Sequence, residues 1–458
     1  MKTKVGLIST MSLYEKFPQE VVVKCEADHK SAKAALTELG FDVFCESDAL
    51  ARTKTQMTKQ AEYMISNGVD VLVLYVGTWT YCNIGVQLAE MTKLPVLIWT
   101  DSGPGNIGLV GASITRGALD EIGVKNTLVH GGFDDKATLE KIKKWCSGAA
   151  AVMALRNKTL GVGGGRCMGM YTAHVDPSEI KSKFGIDIDT WEQSLALEYA
   201  KEVPQQNVDA FYGWMENKFG AITAKKEAVE AQIRLYYALK RIIRENEYDF
   251  VSFKCLPEMP EIYTSFCLAH AILNDMEDED GAKEPVICAC ESDLNAALTM
   301  QILNNITHGS VLFSDYLVFE EETGIATLSN CGSQSTEFAK TKKDVEWVHE
   351  GLLEFEWKIG CSCPRYVARP GRVTIARLGR IAGEYVMTIL TGETVEVDGT
   401  QMSAVNPQHP KLFVKMDASA DAFIDSVRCN HAHIVFGDYV DELLTACYVG
   451  GIKPLLVK

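Results

Sequence analysis

Apolar runs with little polar alternation recur through the first 150 residues, at VGLIS (5–9), FDVFC (41–45), VDVLVLYVG (69–77), PVLIW (95–99) and TLVHG (127–131). Helical segments such as SAKAALTEL (31–39) and TKQAEYMIS (58–66) lie between them. Strands buried on both faces and separated by helices make a parallel sheet. The pattern therefore predicts a doubly wound α/β domain over residues 1–156. A second α/β domain, 157–308, opens at TLGVGGGR. It passes through a long helical region (about 208–246) to the strands YDFVSFK (248–254) and PVICAC (285–290). The acidic run 275–280, at a helix-to-strand connection, is expected to be a solvated loop and not a cation site. After about residue 308 the pattern changes. In GRVTIARLGRIAGEYVMTILTGETVEVD (371–398) short β runs are broken by glycine without intervening helices. That predicts a β-rich C-terminal domain, 309–458, with an antiparallel, barrel-like sheet.

Composition narrows the class. The 458 residues are 47% hydrophobic and 23% charged, ordinary globular usage, and their net charge is −16. Such an acidic surface repels phosphate backbones and anionic lipid, so neither nucleic acid nor a membrane is an expected partner. No stretch approaches about 18 consecutive apolar residues. The opening MKTKVGLISTM does not read as a signal peptide. A cytoplasmic location is expected, with the fourteen cysteines reduced and mostly acting as small hydrophobes.

Ligands of parallel α/β sheets gather outside the carboxyl ends of the strands. There the sequence places Lys254 after VSF, Glu291–Ser292–Asp293 after VICAC, and Asp315 after SVLFS. Near the C-terminus, Asn430–His431–Ala432–His433 leads into IVFGDY, so His431 and His433 share one strand face. Two carboxylates and an imidazole form a mixed O/O/N set that suits Mn²⁺ or a similar divalent ion. Three other motifs compete. Gly103–Pro104–Gly105–Asn106–Ile107–Gly108 has dinucleotide-fingerprint spacing, but it follows a fourth strand and lacks the acidic residue expected about 20 positions on. A tight turn is the better reading. Gly161–Gly165 lacks a Walker ending, and close packing or a substrate-side loop is expected instead. Cys288/Cys290 and Cys361/Cys363 lack zinc spacing.

The ordered landmarks CLPE (255–258), ACESD (289–293), FSD (313–315), NCG (330–332) and NHAHIVFGD (430–438) resemble those of the L-fucose isomerase/L-arabinose isomerase family. GGRCMGMYTAHVDP (164–177) with FGIDI (184–188) resembles the opening of that family's second domain. The resemblance implies an aldose–ketose isomerase acting on a small sugar by ene-diol proton transfer. It implies Glu291 and Asp315 as metal-binding carboxylates that also move protons, His431 as third ligand, and Mn²⁺ or a similar cation between the second and third domains. Asn430 would touch the sugar, as would Trp79 from a neighbouring subunit of a trimer or hexamer. Lys254 would face the same cleft. The chain departs from fucose-type members in having Arg52 as its first arginine, in Asn330 where His precedes Cys-Gly, and in its shorter length. An NAD-dependent oxidoreductase and a non-catalytic sugar-binding protein are the competing readings.

Overall fold

The computed structural model describes residues 2–13, 17–47, 50–101, 107–349, 358–398, 402 and 405–458. Contacts gather the chain into two compact units: Met1–Ala154 with Asp441–Gly451, and Leu155–Val440 with Ile452–Lys458.

In the first unit five parallel strands lie in the order Asp42–Phe44, Lys4–Thr10, Val71–Val76, Val96–Thr100, Asn126–His130. All six residues of Val71–Val76 are buried, as the unbroken apolar run requires. The helix Lys54–Ser66 starts at a capping box in which Thr53 and Gln56 exchange side-chain and backbone hydrogen bonds. Chain direction across the sheet reverses beside Lys4–Thr10, which makes the gap between that strand and Val71–Val76 the topological switch point. Trp79 sits in the loop there. Its carbonyl accepts from the Ser12 amide at 3.0 Å, next to a 2.9 Å contact between the Thr10 and Thr80 hydroxyls.

The second unit contains a four-stranded parallel sheet in the order Cys288–Cys290, Phe250–Phe253, Thr159–Gly163, Asp187–Trp191. Gly161 and Gly163 are needed for packing. A Cβ on either would come within 2.3 Å of the Tyr248 or Trp191 ring, respectively. The predicted helical region is two helices, Gln205–Lys218 and Lys226–Glu245, interrupted by the short strand Ala221–Ile222.

The same unit holds a mixed seven-stranded sheet. Six strands pair antiparallel in a closed circuit: Gly371–Ile381, His431–Phe436, Leu312–Glu320, Ile325–Ser329, Lys411–Met416 and Glu384–Thr394, the last pairing again with the first. Lys453–Leu456 adds to Glu384–Thr394 in parallel, so the sheet is not purely antiparallel. Short helices also intervene, among them Ala420–Ser426, because Ser419 caps that turn by accepting from the Ala422 amide. The hairpin joining Gly371–Ile381 to Glu384–Thr394 turns through Ala382 (φ 51°) and Gly383 (φ 90°), the two left-handed residues of a tight two-residue turn.

The acidic run is solvated only in part: Asp280 and Met276 are exposed, whereas Asp275 and Asp278 are buried. Asp275 is buried and accepts from the Ser335 hydroxyl (2.6 Å), the Thr336 amide (2.8 Å) and the Lys342 ammonium (2.9 Å). Asp278 accepts from the Tyr236 hydroxyl at 2.6 Å and from Lys240 at 3.0 Å. Charge density alone misled the prediction, because the partners come from distant helices. Among the described residues no helix is long and apolar enough to cross a membrane.

Candidate active site

All the groups that converge here belong to the second unit. Glu291 follows the strand Cys288–Cys290 with φ 62°, and Ser292 follows with φ 48°. Two successive non-glycine residues in the left-handed region are held against an intrinsic penalty. The Ser292 hydroxyl contributes to holding them, donating to the Gly163 carbonyl at 2.7 Å. Asp293 then caps the helix Leu294–Thr307 by accepting from the Ala296 amide at 2.9 Å.

Asp315 is not at a strand exit. It lies inside Leu312–Glu320, opposite His431 in the register of Leu312–Glu320 with His431–Phe436. The strand continues because YLVFE after Asp315 still supplies sheet-forming residues. Cross-strand pairing thus sets Asp315 beside His431, while the turn after the parallel sheet brings in Glu291. His431 Nε2 is 3.2 Å from Glu291 Oε2 and 3.6 Å from Asp315 Oδ1. Asn430 donates to Asp315 Oδ1 at 2.9 Å and Asn330 to Oδ2 at 2.8 Å.

Behind this face, His431 Nδ1 is 2.6 Å from Asp293 Oδ2, and Arg377 Nη1 is 2.8 Å from the same carboxylate oxygen. Arg377 also reaches His433 Nε2 at 3.3 Å and donates to the Thr172 carbonyl at 3.0 Å. His431 and His433 both pack on Phe313, with ring centroids 4.5 and 5.3 Å away.

Burial works against a charged imidazole at His431. The hydrogen bond to Asp293 and the charges of Asp293 and Glu291 outweigh it and raise the pKa to about 10. Burial raises Asp315, with Glu291 adding to the shift and His431 and the two asparagine amides opposing it. Burial would also raise Asp293, but Arg377 and His431 hold it well below the usual carboxylate range.

Glu291 Oε2 and His431 Nε2 are buried without a hydrogen-bond partner among the described residues, since their 3.2 Å approach lacks hydrogen-bond geometry. Without a metal the imidazole holds its Nε2 proton; a divalent cation would displace that proton and find Nε2, Glu291 Oε2 and, beside them, Asp315 Oδ1 as donor atoms. The grouping Asp293–Cys429–His431 has ligand atoms that all lie within 4.8 Å of one another, tighter than the set Glu291, Asp315 and His431. It fits less well, because Arg377 occupies the Asp293 carboxylate and places a guanidinium where a cation would sit. The acids Asp278, Glu279 and Asp280 cluster too, but Lys240 already lies within 4 Å of all three.

The remaining predicted residues divide. Asn430 is in the centre. Lys254 is buried, and its ammonium pairs with Glu258 at 2.7 Å; among the described residues it makes no hydrogen bond or ion pair with Glu291, Asp315 or His431. Trp79 lies in the first unit, at the switch point of its own sheet. Residues 103–106 of the fingerprint-like motif lie outside the described residues. Cys288 and Cys290 are buried in their strand, with Cys288 Sγ 3.0 Å from His270 Nδ1.

Asp293 and Arg377 were not assigned a role from sequence. An aspartate just before the helical run LNAALTMQIL is an N-cap signal, which hid its second partner. Arg377, inside the otherwise apolar run VTIARL, was a usable signal, since a charge in a buried strand needs a counter-charge.

Comparison with known proteins bears on this geometry. Residues 328–455 match the family described as L-fucose isomerase, C-terminal domain. That segment of the chain is similar to fucose isomerases. Sulfoquinovose isomerase from Priestia aryabhattai is 21% identical over 392 residues, covering 82% of this chain and 83% of that one. The protein of the same name from Alkalicoccus urumqiensis is 23% identical over 343 residues, covering 73% and 74%. That from Clostridium sp. (strain MSTE9) is 23% identical over 436 residues, covering 92% of each. The likeness to proteins named as sugar isomerases therefore runs along most of the chain. Its matched segment includes Asn330, Arg377, Asn430 and His431, whereas Glu291, Asp293 and Asp315 precede it.

Proposed function

We propose that the protein is a divalent-metal-dependent aldose–ketose isomerase that moves a proton between adjacent sugar carbons by an ene-diol route. The observation that carries the reading is the meeting of Glu291, Asp315 and His431, with Glu291 Oε2 and His431 Nε2 buried and unsatisfied. These three residues would hold Mn²⁺ or a similar ion. A bound ion of that kind supplies Lewis-acid polarisation of the two sugar oxygens.

The protein groups do the rest. Asp293 fixes the imidazole so that Nε2 faces the two carboxylates. Asn330 and Asn430 hold both oxygens of Asp315, so the carboxylate keeps one orientation during proton transfer. Glu291, on its constrained turn, is the second proton-transfer group. Asn430 and Trp79 are proposed sugar contacts, Trp79 from the first unit of a neighbouring copy in a trimer or hexamer. Lys254, engaged by Glu258, acts at most through that pair. The closed circuit of six strand pairings supports reading the C-terminal sheet as a small barrel. Since the relatives are named for a sulfonated hexose, such a sugar is a candidate substrate beside pentoses and 6-deoxyhexoses. The test is ketose formation from a panel of free aldoses, before and after chelation and with Mn²⁺ restored. No turnover of any aldose in excess Mn²⁺ overturns the reading.

A further inference from the structure

A cavity with about 490 Å³ of empty space, part of it open to solvent, adjoins His431. Arg377, Arg380 and Arg428 line it, and no carboxylate does. That is unusual in a chain carrying 61 acidic residues and a net charge of −16. The three guanidiniums are not equivalent. Arg377 is neutralised by Asp293 at 2.8 Å. Arg380 donates to the His174 carbonyl at 2.6 Å and lies 3.6 Å from Glu179. Arg428 makes no hydrogen bond or ion pair with any described residue. An exposed arginine alone is ordinary, but this one faces a carboxylate-free cavity that shares His431 with the reaction centre.

We infer that this cavity receives an anionic substituent of the sugar, with Arg428 as its principal contact. The inference rests on the sugar-isomerase reading above. A guanidinium presents a planar fork of donors matched to sulfonate or phosphate oxygens. Thr172 lines the same space, and its hydroxyl, which accepts from Cys429 Sγ at 3.5 Å, keeps a proton to donate, whereas the Ser426 hydroxyl is committed to the Phe423 carbonyl at 2.6 Å. Arg428 is three residues from His431, so their backbones are at most about 10 Å apart. That span is comparable to an extended hexose with its carbonyl end at the centre and a charged group on its far carbon. The substrate class is then a hexose carrying sulfonate or phosphate at the carbon remote from C1.

The full-length protein loaded with Mn²⁺ should be titrated calorimetrically with a 6-sulfonated hexose, a hexose 6-phosphate and the unsubstituted hexose. The wild type should bind at least one anionic sugar more tightly than the neutral one, and the larger preference identifies the substituent. Arg428→Gln should reduce that preference by ~10–100-fold, the range for hydrogen bonds to a charged group, and Arg428→Lys should keep part of it. Circular dichroism checks that the variants fold. The inference is overturned by a wild type with no anionic preference, or by Arg428→Gln retaining it. Ketose formation from the same sugars separates the two claims. Preferential binding without turnover removes the isomerase reading and leaves the anion subsite standing. Turnover of the neutral sugar without anionic preference removes the subsite alone.

Discussion

Asp293 Oδ2 lies 2.6 Å from His431 Nδ1, and neither side chain is exposed to solvent. The contact commits Nδ1, so the other ring nitrogen is the one presented to Glu291 and Asp315. Arg377 in turn neutralises Asp293. The order of dependence runs from a buried ion pair, through one imidazole, to the two carboxylates beside its other nitrogen.

Asp293→Asn should therefore disturb two properties together. The amide no longer balances Arg377, and breaking a buried pair costs about 3–5 kcal/mol. It also weakens the hold on His431, for which a loss of metal affinity of about 10–100-fold is expected. Thermal denaturation and Mn²⁺ titration measure the two effects. Unchanged values in both would remove Asp293 from the positioning role.

Glu291→Gln and Asp315→Asn are near-isosteric and remove a proton acceptor each. Loss of general acid–base catalysis is worth typically ~10²–10⁴-fold, so kcat should fall at least that far in saturating Mn²⁺. Near-normal turnover by either variant would clear that residue of acid–base duty. Metal content measured on the same samples separates lost chemistry from lost metal.

Much of this arrangement was legible in the sequence. The five apolar runs of the first unit match its five strands; the three central ones are buried and need no polar alternation, while the edge strands Asp42–Phe44 and Asn126–His130 are only partly buried. Glu291, Asp315, Asn430 and His431 stand out in the sequence, and the structure brings them together. What the sequence could not supply was long-range pairing. Asp315 looked like a strand exit because a charge ends an apolar run, yet its strand goes on beside His431. The acids 275–280 looked solvated because their lysine and tyrosine partners are 38 to 67 residues away. Asp293 stood only as one of three polar residues after an apolar run, and its contact with His431 lies 138 residues further along the chain.

Histidine 270 gives a pH dependence away from the centre. It is fully buried, stacks on Phe253 with centroids 4.2 Å apart, and contacts Cys288 Sγ through Nδ1. Burial lowers its pKa from 6.5 to about 4, with the neighbouring Cys267 opposing the shift. Below about pH 6.5 the unfolded chain takes up a proton that the native protein refuses until about pH 4. This residue's contribution to stability is thus intact above 6.5 and falls as pH drops towards 4, by about 3 kcal/mol in all. Urea midpoints for the wild type and His270→Gln between pH 7 and 4 should converge as the pH falls. Parallel curves would show that His270 does not carry this linkage.

The turn at Glu291–Ser292 supplies the last prediction. Replacing Ser292 by Ala or by Gly removes the same 2.7 Å hydrogen bond to the Gly163 carbonyl, so that loss cancels between the two variants. What differs is the backbone. Alanine must still adopt φ near 48°, which costs an L-residue roughly 1–2 kcal/mol, whereas glycine adopts it freely. Opposing this, glycine's larger unfolded-state freedom favours alanine by about 0.4–1 kcal/mol. Strain is the larger effect, so Ser292→Gly should be the more stable variant by about 1 kcal/mol, the reverse of the usual order. Catalysis should separate them in the opposite sense. Glycine relaxes the constraint that aims Glu291, and kcat should fall further in Ser292→Gly than in Ser292→Ala. Denaturation midpoints and kcat measured on the pair test both halves. Ser292→Ala proving the more stable variant would mean that the left-handed turn stores no strain at this position.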